Sequence, residues 1–355
     1  MAGNDPFSSL ETYQLTQRHV QLTSNKLGQG SYASVMEVYY MGLKCAGKKV
    51  HEVLLEQGED SYIVRRFEEE CRILSTMRHP NIVQFLGVHF NEGERVPMLV
   101  MEFLPMNLTS CIEKHGILPK EMNYSILNDV ALGMYYLHNQ SPPIVHRDLS
   151  ANNVLLTYNM DAKISDLGVA RILNLTPLQA SRLTQTPGTP AYMPPEVMVA
   201  NPKYDRSIDE FSFGIMMIHI FSGQWPEPEC SQIRVEAGMM IPVTEAERRE
   251  SFLKVIGDDH LLREVIISCI HNDPSERMHA NEIVKVTSEM VLQFPRDQLD
   301  LIEHISKAKE SVQPRIHHYE NITAETPEEY DDVIKDKDKL QQVSDNQISR
   351  ALFQA

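Results

Sequence analysis

The sequence predicts an α+β fold with two lobes, a small β-rich N-terminal lobe that holds one helix and a larger α-helical C-terminal lobe. The 355 residues are 42% hydrophobic and 23% charged, which allows a sizeable core. From about residue 20 to residue 100 the chain is rich in valine, tyrosine and leucine, as is typical of strands. After Pro105 apolar residues recur at helical spacing over long stretches, which favours helices packed beside a sheet.

Local patterns predict the elements in chain order. Residues 1–18 are polar and lack periodicity, so we expect a flexible N-terminus. Val20–Leu27 and Ala33–Tyr40 flank a turn with two glycines and predict a β-hairpin. Apolar residues at helical spacing predict the one helix of the small lobe over Ser61–Met77. The helical patterns of the larger lobe cover Glu121–Asn139, Ser207–Phe221, Ala246–Ile256, Asp258–His271 and Ala280–Gln293.

Composition sets the predicted domain limits. One folded domain is predicted over 19–294, with its lobes at about 19–104 and 105–294. Beyond it large apolar residues become few, and residues 296–355 hold 8 Lys and Arg against 13 Asp and Glu. A segment of this kind cannot bury enough apolar surface to fold, so an acidic, disordered tail is predicted over 295–355.

Charge, cysteines and hydropathy exclude several classes of protein. With 33 Lys and Arg against 49 Asp and Glu the net charge is −16, so nucleic acid and anionic membranes are poor principal partners. The 5 cysteines are odd in number and lack C-x-x-C spacing, which argues against a disulfide framework or a zinc module. The N-terminus does not read as a signal peptide, and the apolar run Phe213–Phe221 is too short to span a bilayer. We expect a cytoplasmic location.

A glycine-containing turn is the first candidate site. Gly28–Val35 reads G-x-G-x-x-A-x-V between two predicted strands, and backbone amides at such glycines can approach phosphate oxygens. Lys48 on the next strand could bridge two phosphates, and Glu70 in the predicted helix could pair with it. Two glycines also suit any tight hairpin, and a Lys–Glu pair is commonly a surface pair worth little. These residues need further context.

Three further motifs supply that context, in this order along the chain: His146-Arg147-Asp148-Leu149-Ser150-Ala151-Asn152-Asn153, Asp166-Leu167-Gly168 and Met193-Pro194-Pro195-Glu196. With them the sequence resembles the eukaryotic protein kinase family over about residues 20–294, and its pattern is closest to the tyrosine-kinase-like group. The resemblance implies the bilobal protein kinase fold over 19–294. It also implies transfer of the ATP γ-phosphate to protein substrates in signal transduction, with ATP and Mg²⁺ as cofactors.

The resemblance implies catalytic and metal-binding roles for a small set of polar residues: Lys48 for the α- and β-phosphates, Glu70 to orient Lys48, Asp148 for the substrate hydroxyl, and Asn153 and Asp166 for magnesium. Lys49 is the alternative to Lys48, but strand alternation should point it outward. The implied ATP-binding residues are Leu27, Gly28, Gly30, Val35, Ala46, Lys48, Met101, Glu102, Phe103, Leu104 and Leu155. An internal apolar column is implied for Leu74, Phe85, His146 and Leu167, a loop anchor for Asp209, and an ion pair for Glu196 and Arg277.

The acceptor specificity rests on mixed signals. Ser150 stands where serine/threonine kinases usually carry a lysine, and the segment Ser150–Asn152 is more similar to the tyrosine-kinase loop. Gly188–Met193 resembles the serine/threonine substrate-binding segment, in which Thr189 would touch Asp148. We expect a serine/threonine preference, while a tyrosine or dual-specificity kinase and a catalytically silent scaffold that signals through its tail stay open.

Regulation is expected at two places. Arg147 could bind a phosphate on the activation segment, whose candidate acceptors are Ser181, Thr184 and Thr186, although each of these hydroxyls also suits an ordinary loop. In the tail, Tyr319 and Tyr330 lie in polar, acidic surroundings. Once phosphorylated they could be bound by phosphotyrosine-binding adaptors, but short motifs of this kind often arise by chance.

Overall fold

The computed structural model describes residues 7–30, 33–51, 60–91, 94, 96–167, 171–172, 189–197, 204–226, 233–236, 239–242 and 260–294. Within these residues the expected α+β arrangement is confirmed, because a five-stranded sheet with one helix precedes a helical part of the chain. In the described part of the chain no helix is both long and apolar enough to cross a bilayer. Residues 295–355 lie outside the described residues, so the acidic tail stays a prediction.

The N-terminal lobe is an antiparallel sheet with a helix. Its strands are β1 (Val20–Gln29), β2 (Ala33–Tyr40), β3 (Leu43–Val50), β4 (Phe85–His89) and β5 (Met98–Glu102). They pair in the order β1-β2-β3-β5-β4, so β4 forms one edge of the sheet. Helix α1 (Asp60–Thr76) lies between β3 and β4 in the chain and packs on β4. The predicted hairpin and helix are thus present.

The C-terminal lobe is mainly helical. Its helices are α2 (Leu108–His115), α3 (Lys120–His138), α4 (Ser207–Ser222), α5 (His260–Cys269) and α6 (Ala280–Leu292). Its short strands are β6 (Met106–Asn107), β7 (Ile144–Val145), β8 (Val154–Leu156), β9 (Ala162–Ile164), β10 (Arg171–Ile172), β11 (Ile233–Glu236) and β12 (Met239–Pro242). Strands β6, β8 and β9 form a small three-stranded sheet in this lobe.

Helix α4 is the buried centre of the larger lobe. Every residue from Ser207 to Ile220 is buried, which explains the nearly continuous apolar sequence of this helix. It ends at Gly223, whose φ of +67° is left-handed and whose N–H donates to His219 at 3.1 Å. A Cβ at this position would lie 2.8 Å from Ile117, so both the backbone conformation and the packing favour glycine.

Most predicted helix limits lie within two residues of the observed ones, but three features differ. The sequence did not predict helix α2 or the hairpin β11–β12. Helix α2 has eight residues and each hairpin strand has four, which is too short for a clear periodic pattern of apolar residues. The helix expected over Ala246–Ile256 lies outside the described residues.

The third difference concerns the flexible N-terminus expected for residues 1–18. Residues Ser8–Tyr13 form a 3₁₀-helix, and Phe7, Leu10 and Leu15 are buried with 1%, 2% and 7% of their surfaces exposed. The segment is ordered because its apolar residues meet α1 and β4, surfaces that local sequence cannot reveal.

Candidate functional site

A lysine of β3 meets a carboxylate of α1 and the carboxylate of Asp166, the second residue after β9. Lys48 Nζ lies 2.7 and 2.9 Å from the carboxylate oxygens of Glu70 and 2.8 Å from Asp166 Oδ1. Burial alone lowers the pKa of Lys48, but the charges of Asp166 and Glu70 outweigh burial and raise it, so the side chain is a cation at neutral pH. Lys49 instead contacts Glu94 at 2.9 Å, as strand alternation requires.

The register of the sheet brings the glycine turn onto the same face as Lys48. Gly28 lies opposite Val35 across β1 and β2, and Val35 lies opposite Lys48 across β2 and β3. Residues directly opposite each other share a face of the sheet. The turn itself is closed by the Gly30 N–H, which donates to Ala33 at 2.8 Å.

Asp148 is held by hydrogen bonds from two directions. The backbone N–H and the hydroxyl of Thr189 both donate to Asp148 Oδ1 at 2.8 Å. The amide nitrogen of Asn153 donates to the carbonyl oxygen and to Oδ2 of Asp148 at 2.8 and 3.0 Å, which leaves the amide oxygen for another partner. Burial raises the pKa of Asp148, although His146 and the bonds from Thr189 act against it. The buried Ser150 hydroxyl lies 3.5 Å from that of Thr189.

Asp209 of α4 anchors the loop that carries Asp148. Its carboxylate accepts the backbone N–H groups of His146 and Arg147 at 2.8 and 2.9 Å and contacts the His138 ring at 2.8 Å. Burial by itself would raise the pKa of Asp209, but the hydrogen bond and charge of His138 lower it. Arg147 and Asp166 have φ values of +69° and +58°, which cost energy in non-glycine residues. The Asp209 carboxylate holds the first of these strained residues in place.

The segment expected to bind adenine begins at the end of β5. Met101 is buried and lies opposite Ala46 across β3 and β5. The carboxylate of Glu102 accepts hydrogen bonds from Lys163 at 2.8 and 3.1 Å and from the Gln84 N–H at 2.7 Å. Lys163 belongs to β9, so this ion pair ties the segment to the strand that leads to Asp166. Lys163 was missed in the sequence, where nothing marks it as a partner of Glu102.

The other residues expected at the site differ in how deeply they are buried. Phe103, Leu104 and Leu155 are half-buried, whereas Leu27 at the end of the glycine turn is 39% exposed. The residues expected to form an apolar column are all buried, namely Leu74, Phe85, His146 and Leu167. The expected ion pair is present, because the two terminal nitrogens of Arg277 donate to the Glu196 carboxylate at 2.6 and 2.8 Å.

A shallow depression lies beside Asp148 and is lined in part by Arg147, Thr189, Tyr192 and Tyr204. The guanidinium group of Arg147 stacks on the Tyr204 ring at 4.1 Å from its centroid. Several expected regulatory residues lie outside the described residues: Ser181, Thr184, Thr186, Tyr319 and Tyr330.

The chain is similar in sequence to several known proteins. The family model for the protein kinase domain matches residues 22–287. Serine/threonine-protein kinase VIK of Arabidopsis thaliana is 31% identical over 76% of this chain and 60% of its own length. Serine/threonine-protein kinase 12 of the same plant is 30% identical over 77% of this chain and 57% of its own length. Dual specificity protein kinase splA of Dictyostelium discoideum is 28% identical over 74% of this chain and 11% of its own length. The chain therefore spans less than two thirds of these relatives.

Proposed function

The chain belongs to the protein kinase family, and on that premise we propose that it transfers the γ-phosphate of ATP to hydroxyl groups of proteins, with serine and threonine preferred. The observation that carries the proposal is the contact of Lys48 with both Glu70 and Asp166. These residues are far apart in the chain, yet they form one charged cluster beside the glycine turn. Phosphoryl transfer depends on positioning and charge neutralisation, which a cluster of this kind supplies.

The proposed roles follow from the contacts of each residue. Lys48 binds phosphate oxygens while Glu70, which is nearly buried, fixes the direction of its side chain. Asp148 accepts or orients the proton of the acceptor hydroxyl, and its two bonds from Thr189 hold the carboxylate toward the depression beside it. The fixed geometry is the main contribution of the protein, because little covalent chemistry is required of it.

ATP and a divalent metal ion are the cofactors that the family implies, and Mg²⁺ is the ion we propose. The described residues fit a hard cation, since Asp166 offers a carboxylate and the amide oxygen of Asn153 is left over after its nitrogen binds Asp148. The metal would neutralise phosphate charge. The proposed nucleotide contacts are Leu27, Gly28, Gly30, Val35, Ala46, the segment Met101–Leu104 and Leu155.

The serine/threonine preference is supported by Thr189, whose hydroxyl and amide frame Asp148 closely enough to suit a short acceptor side chain. The names of the two plant relatives point the same way. Ser150 weakens this argument, because it offers no cation to the transferred phosphate. A cytoplasmic location and the binding of phosphotyrosine adaptors at Tyr319 and Tyr330 are further, finer proposals.

The test is phosphoamino-acid analysis of purified protein incubated with labelled ATP and Mg²⁺, with and without casein. We expect phosphoserine and phosphothreonine, and a loss of about a hundredfold or more in Asp148→Asn and Asp166→Ala. Phosphotyrosine as the main product would support the tyrosine alternative. Binding of ATP without any turnover would support a silent scaffold instead.

A further inference from the structure

The N-terminal strap, defined as residues 7–15, lies against the helix that carries Glu70. The rings of Phe7 and Phe67 are 5.9 Å apart at 84°, an edge-to-face contact, and Phe7 is only 1% exposed. The Ser9 hydroxyl donates to the Glu68 carboxylate on the same helix. Phe67 lies one turn before Glu70 in α1. The strap therefore contacts α1 directly beside the residue that orients Lys48.

The strap also contacts β4, the edge strand of the sheet. The Leu15 N–H donates to Val88 at 2.8 Å, and Gln14 forms a parallel bridge with Val88. The Tyr13 ring packs edge-on against Phe85 at 5.8 Å. Phe85 is one of the buried residues expected in the apolar column, so the strap contacts both α1 and this column.

The surface of β4 is shaped to receive the strap. A Cβ on Gly87 would lie 2.7 Å from Leu15 Cγ and 2.8 Å from the Tyr13 carbonyl oxygen. Any side chain at this position would displace the strap from the strand. Because Gly87 lacks one, the backbone of the strap can approach the edge closely and bury Leu15 in the cluster with Val38 and Met98.

We propose that the N-terminal strap holds α1 in the position that pairs Glu70 with Lys48, which makes Phe7 and Leu10 positioning residues for phosphoryl transfer. Loss of the strap would remove the apolar support behind Phe67. Helix α1 could then move outward, and Lys48 would keep only its contact with Asp166. The inference rests on the proposed function, since it assigns the strap to the same site.

The first experiment compares Phe7→Ala/Leu10→Ala with the full chain well below its unfolding temperature. We expect kcat to fall about tenfold, as when a tenth of the molecules keep α1 in the paired position. The KM for the protein acceptor should stay unchanged, because the depression beside Asp148 is formed by other elements. Leu118→Ala removes a leucine that is 5% exposed in the larger lobe, and as a control for a general loss of stability it should keep a normal kcat.

A second readout does not depend on activity. Hydrogen exchange of the nucleotide-free protein should be faster in α1 of the double variant, while exchange in α4 stays as in the unchanged chain. Adding a peptide of residues 5–16 to the variant should restore kcat and slow the exchange of α1 in a saturable way. The same peptide with Phe7→Ala should do neither. The single variant Phe7→Ala serves if the double variant does not fold.

Unchanged exchange in α1, or losses of kcat that follow stability equally in Leu118→Ala, would overturn the proposal. So would failure of the peptide to restore either readout. If the unchanged chain has no phosphotransfer activity, the proposed function fails, while hydrogen exchange and peptide binding still decide whether the strap holds α1.

Discussion

At the scale of single residues, the charge of Lys48 depends on its neighbours. The Lys48 side chain is only 15% exposed, and its ammonium group would lose its proton more easily in an apolar setting, but Glu70 and Asp166 both contact it. The neighbouring Lys49 points to the other face of β3, where it contacts Glu94. Two adjacent lysines thus have different partners because a strand alternates its side chains.

This difference makes Lys48→Met and Lys49→Met a matched pair. We expect Lys48→Met to lower phosphotransfer by at least about a hundredfold, because the phosphates lose their cation. Lys49→Met should keep nearly full activity, because it loses a surface ion pair worth at most about 1 kcal/mol. Steady-state kinetics and thermal unfolding of both variants check this. Near-normal activity of Lys48→Met together with a large loss in Lys49→Met would move the phosphate-binding role to Lys49.

The acid side of the pH profile is expected to report Asp148. Burial raises the pKa of Asp148 above the ordinary aspartate value of about 4. Because the ionised form is required, we expect acidification to lower activity already at pH values above about 4. Thr189→Val removes a hydroxyl that donates to the ionised form, so the pKa should rise further and the acid limb should move to higher pH.

The measurement is kcat against pH for the unchanged chain and the variant. Thr287→Val is the control, because Thr287 is buried in α6 and its hydroxyl bonds to Asn128 and to the carbonyl of Ile283 rather than to Asp148. If the acid limb of the profile lies at the same pH in Thr189→Val as in the unchanged chain, the proposed effect of the Thr189 hydroxyl on the pKa of Asp148 is wrong.

At the scale of elements, two adjacent acids of α4 show how one helix can organise a loop. Asp209 accepts two backbone N–H groups of the loop and has a lowered pKa. Glu210 accepts the Ala280 N–H at 3.2 Å, and burial raises its pKa. The first carboxylate is therefore stabilised as an anion, whereas the second is destabilised as one.

We expect Asp209→Asn to lower the free energy of unfolding at pH 7 by roughly 1.5–3 kcal/mol, the range for hydrogen bonds to a charged group. Activity should fall as well, because the loop around Arg147 loses its anchor. Because the pKa of Asp209 is lowered in the folded protein, its carboxylate stabilises the fold at pH values above the unfolded-state pKa of about 4. This stabilisation is lost as pH falls through the folded-state pKa. The deficit of the variant should therefore shrink below about pH 4.

Glu210→Gln is the matched control for this prediction. A raised pKa means that ionisation costs stability as pH rises, so a neutral amide should leave stability at pH 7 unchanged or higher. Urea unfolding of both variants at several pH values tests the pair. Equal destabilisation by Glu210→Gln would show that the burial of either side chain, rather than the anion, holds α4.

At the scale of the whole molecule, nucleotide and metal are expected to stabilise the fold by mass action. At a hundred times Kd a ligand adds about 2.7 kcal/mol, which in a domain of this size raises Tm by about 5 °C. We expect this shift with ATP and Mg²⁺ and a smaller one with ATP and EDTA. Asp166→Ala should lose the difference between the two conditions. Differential scanning fluorimetry measures all four cases, and a metal-independent shift in the unchanged chain would contradict the proposed metal ligands.

Control of activity by the activation segment is expected from Arg147. Its guanidinium group stacks on Tyr204, a weak contact that a phosphate on Ser181, Thr184 or Thr186 could replace with a charge-assisted one. The triple alanine variant should therefore have lower activity than the phosphorylated chain. Mass spectrometry of the active fraction identifies the phosphate, and full activity of the variant would exclude this mechanism.

The sequence by itself determined the elements with strong local signals and identified the residues for which chemical roles are proposed. The apolar run of α4 predicts a helix that is buried on all sides. The helical period of α3 predicts a helix with one face against the core. Lys48, Asp148 and Asp166 stand out because their motifs have fixed spacing. The fold class and the family follow from these local features.

Tertiary structure alone decided which distant residues meet. Phe7 and Leu10 look like part of a polar lead-in until α1 and β4 provide a surface to bury them. Lys163 becomes the partner of Glu102 only because β9 lies beside the end of β5. Burial and pairing depend on which distant residues the fold brings nearby, and a local sequence pattern does not identify those residues.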